Sequence, residues 1–225
     1  MSVITITGHL GSMGGVAGRV ADAMGYQLVD RELVAAAAEI MGQQEHDLSH
    51  LDERTGSFVD RVIDVLQRIG AASVDPADAA GAFDMTYANA AGVSQTAGQR
   101  YFDTLRTVMH RLADEGYIVI VGRGGQGILA GRSDVFHARV ICPLEERIAR
   151  IAQRDSMTIE AARARVEESD RQREAWHQRY LGIDYRSPYH YALVANTGML
   201  SDRTASDVIV RAARAHFEAT TPAHA

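Results

Sequence analysis

Short, unbroken apolar runs alternate along this chain with stretches whose apolar residues recur at helical spacing, and that alternation predicts an α/β protein. Residues 3–7 (VITIT) are a β-branched run that stops at a glycine-rich turn, and they read as a buried first strand. From residue 14 to 24 the apolar positions Val16, Val20 and Met24 fall at i, i+4 and i+8, a helix that Gly25 closes. Residues 26–29 give a second short strand running into Asp30-Arg31-Glu32, and 33–41 a further helix. The stretch from about 47 to 69 is amphipathic, with Val59, Val62, Ile63, Leu66 and Ile69 on helical spacing. Residues 71–98 are rich in Ala, Gly and small polar residues and read as a loop, an insertion or a poorly ordered helix. A helix resumes over 102–112, and 117–121 (YIVIV) is the clearest buried strand. Another strand follows at 138–142 (ARVIC), then arginine-dense helices over 144–153 and 158–180, a last strand at 191–195 (YALVA) and a helix over 205–217.

Continuous apolar strands separated by helices predict a parallel sheet covered on both faces. Ligands of such sheets sit outside the carboxyl ends of the strands. The groups that follow the strands here are residues 8–15, Asp30-Arg31, Gly122-Arg123 and Asn196-Thr197. Their convergence is the structural reason to expect a site.

Composition narrows the chemistry. The 225 residues suit one domain, and a net charge of -6 argues against a general nucleic-acid binder. No apolar run is long enough for a membrane span, and the start lacks the basic, then apolar, pattern of a signal peptide, so a cytoplasmic location is expected. A single cysteine, Cys142, leaves no intramolecular disulfide and reads as core. The chain has no lysine: all 23 basic residues are arginine. Any reaction that needs a lysine amine is therefore excluded, while bidentate clamping of phosphate by arginine is not.

The turn Gly8-His9-Leu10-Gly11-Ser12-Met13-Gly14-Gly15 lies between the first strand and the first helix. Free N–H groups and the positive end of the helix dipole favour an anion there, and glycines allow close approach. Against GxxxxGK(S/T), Gly8 fits, but Met13, Gly14 and Gly15 stand where the second glycine, the lysine and the hydroxyl residue belong. Against a dinucleotide fingerprint the same residues give TGxxGxxG. A ligand-free tight turn is the third reading. His9 reads as a surface-turn histidine.

Later segments resemble one family. Val119-Ile120-Val121-Gly122-Arg123-Gly124 with Ile128-Leu129 is similar to the VIVGRGA…IL segment of the cytidylate-kinase-like family. Asp30-Arg31-Glu32-Leu33, Pro143-Leu144-Glu145-Glu146-Arg147, Asp170-Arg171-Gln172-Arg173 and 191–197 resemble, in order, its YDREL, PLE…R, lid and YDLVINT segments. The resemblance implies a three-layer P-loop NTPase fold with a five-stranded parallel sheet and an arginine-rich helical lid. It also implies one domain over 1–218, with a helical acceptor-side insertion at about 45–100, a lid at about 155–190, and a tail at 219–225.

The resemblance further implies an ATP- and Mg²⁺-dependent phosphotransferase acting on a small nucleotide such as CMP. In that frame Arg123 holds the acceptor phosphate, and Asp30 and Arg31 stand beside the acceptor. Arg147 and Arg150 lie near the donor, and Asp170 and Arg173 belong to the lid. Gly8, Gly11, Ser12, Gly14 and Gly15 form the donor loop, and no protein metal site is expected. A homodimer is left open.

Physical chemistry keeps alternatives beside each assignment. Phosphoryl transfer needs positioning and cations; Arg147, Arg150 and Arg154 share one helical face and could supply them, or could pair with the interleaved glutamates. Asp30 could serve a substrate or cap a helix. Trp176, His177 and Tyr180 could stack on a base or pack against the sheet. Two other functions stay open: a nucleotide-binding module without turnover, favoured by the degenerate loop, and an NAD-dependent dehydrogenase, disfavoured by the missing lysine.

Overall fold

The computed structural model describes residues 2–29 and 95–220. The chain divides into two compact units, one of residues 1–30 with 116–225 and one of 31–115. The expected helices at 33–41 and 47–69, and the small-residue stretch as far as residue 94, lie outside the described residues.

In the second unit the described element is α2 (Gln95–Glu115), following α1 of the first unit (Val16–Met24) in chain order. Its residues Leu105, Val108, Met109 and Leu112 are buried, at i, i+3, i+4 and i+7, as the apolar stripe predicts.

The first unit is built on five strands: β1 (Val3–Gly8), β2 (Gln27–Val29), β3 (Ile118–Val121), β4 (Val135–Ile141) and β5 (Leu193–Asn196). They run in the order β2-β3-β1-β4-β5, and every pairing is parallel. All six residues of β1 are buried, the pattern of a central strand covered on both faces. β4 begins at Val135, three residues before the expected start, because Phe136 and His137 alternate in register with Ile4 and Thr5 despite the histidine and arginine in the run.

The two faces of β1 carry different chemistry. Ile4 and Ile6 join Phe136, Ala138 and Val140 in a core closed by Val16 and Val20 of α1 and by Ala205, Ile209 and Ala213 of α6 (Asp202–Thr220). Thr5 and Thr7 point the other way, beside His137 and Arg139 in register. That face meets α3 (Gly125–Ile128), where Gly125 packs so closely that an added Cβ would lie 3.1 Å from Thr5 Cγ2. The sequence pattern does not announce α3, which is a single turn.

Two further helices complete the unit: α4 (Leu144–Asp155) and α5 (Ile159–Leu181). Ile148, Ile151, Ala152, Ala162 and Val166 form the small core between them. Thr158 caps α5 by accepting the Ala161 N–H at 3.2 Å. β1 hands on toward β2 at one edge and β4 toward β5 at the other, so the crevice outside their carboxyl ends is a topological switch point. Residues 8–15 fill that position.

Candidate functional site

The turn after β1 is held open from outside. Arg147 Nη1 donates to the Leu10 carbonyl at 3.4 Å, and Arg150 Nη1 to the Gly11 carbonyl at 3.5 Å. Thr197 Oγ1 donates to the Ser12 carbonyl at 2.8 Å. In a trans peptide the next N–H points opposite to the carbonyl. Drawing the Leu10 and Ser12 carbonyls outward therefore turns the Gly11 and Met13 N–H groups inward. Among the described residues, the N–H groups of Gly11, Met13 and Gly14 donate no hydrogen bond. Gly11 and Met13 are half-buried and Gly14 is exposed, and these donors stand at the N-terminus of α1, where the helix dipole favours an anion.

Two glycines make this shape possible. Gly11 has φ +82, and a Cβ there would lie 2.8 Å from the Arg147 carbonyl. Gly14 has φ +48, in the left-handed region that glycine tolerates best. Ser12 is fully buried, and its hydroxyl serves the turn itself: it accepts the His9 N–H at 2.8 Å and donates to the His9 or Val140 carbonyl at 2.9 or 3.1 Å. No loop hydroxyl is left over for a metal ion, and no cluster of metal-ligating side chains occurs among the described residues.

Asp170 of α5 grips Arg147 of α4 bidentately, at 3.0 Å and 2.7 Å. Arg150 reaches past Gly11 to the Thr197 hydroxyl and carbonyl, at 3.2 Å and 2.7 Å. Both arginines thus act on the loop through its carbonyls. Arg154, which shares their helical face by spacing, pairs instead with the neighbouring Asp155 at 2.6 Å and is exposed. Arg171 likewise is a solvated partner of Glu168. Asp30 and Arg31 lie outside the described residues.

Arg123 follows β3 in a left-handed conformation, φ 51, between Gly122 and Gly124, both at φ 71. A non-glycine residue there costs about 1–2 kcal/mol. Its Nε is buried without a hydrogen-bond partner. Gly124 could not carry a side chain, since a Cβ would lie 2.7 Å from Trp176. That contact shows where Trp176 goes: it is buried against the turn that presents Arg123.

The polar face of the sheet continues the site. Thr7 Oγ1 donates to Gln126 Oε1 at 2.8 Å, and the Gln126 amide nitrogen, in a residue 2% exposed, has no partner. Arg139, buried on β4, donates to the Arg186 carbonyl and stands 5.5 Å and 5.7 Å from the Tyr185 and Tyr191 rings. Burial lowers its pKa below the ordinary arginine value. Tyr185 lies at the centre of this cluster, with its hydroxyl 2.9 Å from His9 Nε2 and its ring stacked 4.6 Å from His177.

His9 is therefore not a free surface-turn residue. Burial, reinforced by the positive charges of Arg147, Arg173 and Arg139 against the single Asp170, pulls its pKa from 6.5 down to about 3. Three guanidinium groups thus act on one loop histidine, with the Asp170 carboxylate opposing them. Burial also brings His177 down to about 4; its Nδ1 donates to the Arg173 carbonyl at 2.7 Å.

These histidines give a pH prediction. Both are neutral in the folded chain, whereas in the unfolded chain they take up protons below about 6.5. The unfolded state then binds more protons, so stability falls as pH drops. Acidifying from pH 7 to 5.5, above the carboxylate range, is expected to cost on the order of 1 kcal/mol per buried histidine. Urea midpoints at the two pH values check this; an unchanged or higher midpoint at pH 5.5 contradicts it.

The model of the cytidylate kinase-like family matches residues 3–199. The chain belongs to the cytidylate kinase-like family. No curated protein matches it. Among solved structures, an uncharacterized protein from Eubacterium ventriosum is similar over 95% of this chain and 99% of its own, at 16% identity and a TM-score of 0.65. Shikimate kinase from Acinetobacter baumannii aligns over 98% of this chain and 95% of its own, at 10% identity and a TM-score of 0.45. Dephospho-CoA kinase from Campylobacter jejuni aligns over 97% and 98%, at 11% and 0.45. Within the cytidylate kinase-like fold the sequence pointed to Gly8, Gly11, Ser12, Gly14, Gly15, Arg147, Arg150 and Asp170, and the structure brings these together around one turn.

Several site residues carried no sequence signal of their own. Gln126, Arg139 and Tyr185 are single polar residues whose meaning depends on which strand face or loop they meet. Arg19 is another: its Nε would lie 3.7 Å from a Cβ at Gly15, because helix side chains lean toward the N-terminus. It places an exposed cation beside a loop that lacks lysine. Among the described residues no helix is long and apolar enough to cross a membrane.

Proposed function

We propose that this chain transfers the γ-phosphoryl group of ATP to a nucleoside monophosphate or similar small acceptor, with CMP the first acceptor to test. The observation that carries this reading is the cradle of unpartnered N–H groups at Gly11, Met13 and Gly14, set at a helix N-terminus and ringed by arginines. Such a cradle suits the negatively charged oxygens of a polyphosphate. Arg123, strained and standing at the neighbouring strand end, is suited to hold the acceptor phosphate bidentately. Magnesium fits this site as part of the incoming nucleotide: with the Ser12 hydroxyl consumed inside the turn, the loop offers no side chain to ligate it. Arg173 on α5 would face the donor from the lid side, with Asp170 on the same helix holding Arg147 against the loop.

Within this scheme the protein contributes positioning and charge rather than covalent chemistry. The loop amides orient the donor, Arg123 orients the acceptor, and His9 is neutral at physiological pH, so it adds no charge to the loop mouth. A second reading, nucleotide binding without turnover, is favoured by one observation: Arg147 and Arg150 are committed to the loop's carbonyls and to Asp170, so they do not replace the lysine amine. Release of ADP across a panel of monophosphate acceptors separates the two. Acceptor-dependent ADP release supports transfer; nucleotide binding with no release by any acceptor supports the second reading.

A further inference from the structure

The N-terminus of α1 is not empty of charge. Asp202, the first residue of α6, reaches across to it, and its Oδ2 accepts the Gly15 N–H at 3.1 Å. The same oxygen sits over Gly14 so closely that a Cβ there would lie 2.1 Å away. Gly14 and Gly15 occupy the positions at which a standard phosphate loop carries its lysine and hydroxyl residue. This chain thus has a carboxylate of its own where the usual loop has a cation.

Resting on the polyphosphate reading above, we infer that Asp202 is a resident anion of the phosphate loop, which a polyphosphate must displace to bind. A carboxylate and a phosphate cannot share the Gly15 N–H, and as like charges a few ångströms apart they repel. The contact also links the loop to α6, which packs against α1 through Ala205 and Ile209. Departure of Asp202 frees the Gly15 donor to join those of Gly11, Met13 and Gly14. The arrangement lowers affinity for bare polyphosphate, and it gives one of the open donors there, the Gly15 N–H, an acceptor from within the chain.

Titration calorimetry with ATP and with inorganic pyrophosphate, in chelator and without divalent cations, tests this on the full chain and on Asp202→Asn. Asparagine keeps an acceptor for the Gly15 N–H while removing the charge, and Asp202→Ser with an unliganded melting curve guards against a folding defect. The expected result is binding of both ligands about 5- to 10-fold tighter in the variants. Equal or weaker binding by the variants, with the unmodified chain binding, overturns the inference and leaves the polyphosphate reading standing. A companion titration with magnesium-ATP, run without chelator, also overturns it if the variants bind more weakly there, because that would make Asp202 a metal ligand. Failure of every form to bind either ligand removes the polyphosphate reading and the inference with it.

Discussion

Replacing Arg123 by glycine is expected to leave the melting temperature level or slightly higher while reducing phosphotransfer ~10²–10³-fold. Arg123 holds a left-handed backbone between two glycines that do the same. Glycine relieves that strain, worth about 1–2 kcal/mol, against an entropy cost of similar size in the unfolded chain. Among the described residues no carboxylate pairs with Arg123, so its removal strands none of them. A residue retained for structure would be missed on melting; one retained for a ligand is missed only in the assay. Equal activity in Arg123→Gly, or a loss of activity that tracks a loss of stability, would contradict the assignment.

The opposite outcome is expected at Arg147. Its side chain is 7% exposed and its partner Asp170 is 16% exposed, so the pair is largely withdrawn from water. Removing one member of such a pair leaves an uncompensated carboxylate and costs about 3–5 kcal/mol. For a chain of this size that corresponds to a fall in melting temperature of roughly 10 °C in Arg147→Met. Removing both charges, as in Arg147→Met with Asp170→Leu, is expected to recover most of the loss, since neither group is then stranded. Both variants also release the Leu10 carbonyl from the arginine that holds it outward. Nucleotide affinity should therefore stay weak in the double variant even as stability returns. If the single variant melts like the parent chain, or the double variant melts lower than the single, the pair is not the strut described here.

Much of the fold was legible because it rests on period and punctuation. The strands at 3–7, 26–29, 117–121 and 191–195 were visible as apolar runs ended by glycine or polar turns, and the structure places strands at Val3–Gly8, Gln27–Val29, Ile118–Val121 and Leu193–Asn196. The helices at 144–153 and 158–180 lie within Leu144–Asp155 and Ile159–Leu181 to within a residue or two. β4 was seen only in its second half, because His137 and Arg139 interrupt its apolar pattern while facing the polar side of the sheet. The site was legible where a motif marks the backbone, as in the glycines of the turn and Arg123 between its own. It was not legible where function depends on a meeting of distant residues: Asp202 and Gly15 are 187 positions apart, and Tyr185 and His9 are 176 apart. Spacing left two roles open for Arg147, Arg150 and Arg154, cations for a ligand or partners of neighbouring acids: the loop carbonyls engage the first two and Asp155 takes the third.

The claim on which the account depends is that the turn over residues 8–15 receives phosphate oxygens on its backbone N–H groups. Amide chemical shifts of isotope-labelled protein during titration with inorganic pyrophosphate and, separately, with adenosine test it without any acceptor or turnover. The account predicts that pyrophosphate moves the Gly11, Met13 and Gly14 amide signals downfield first and furthest, and that adenosine leaves them in place. Shifts confined to other residues, or no response of those three amides to pyrophosphate, would contradict it.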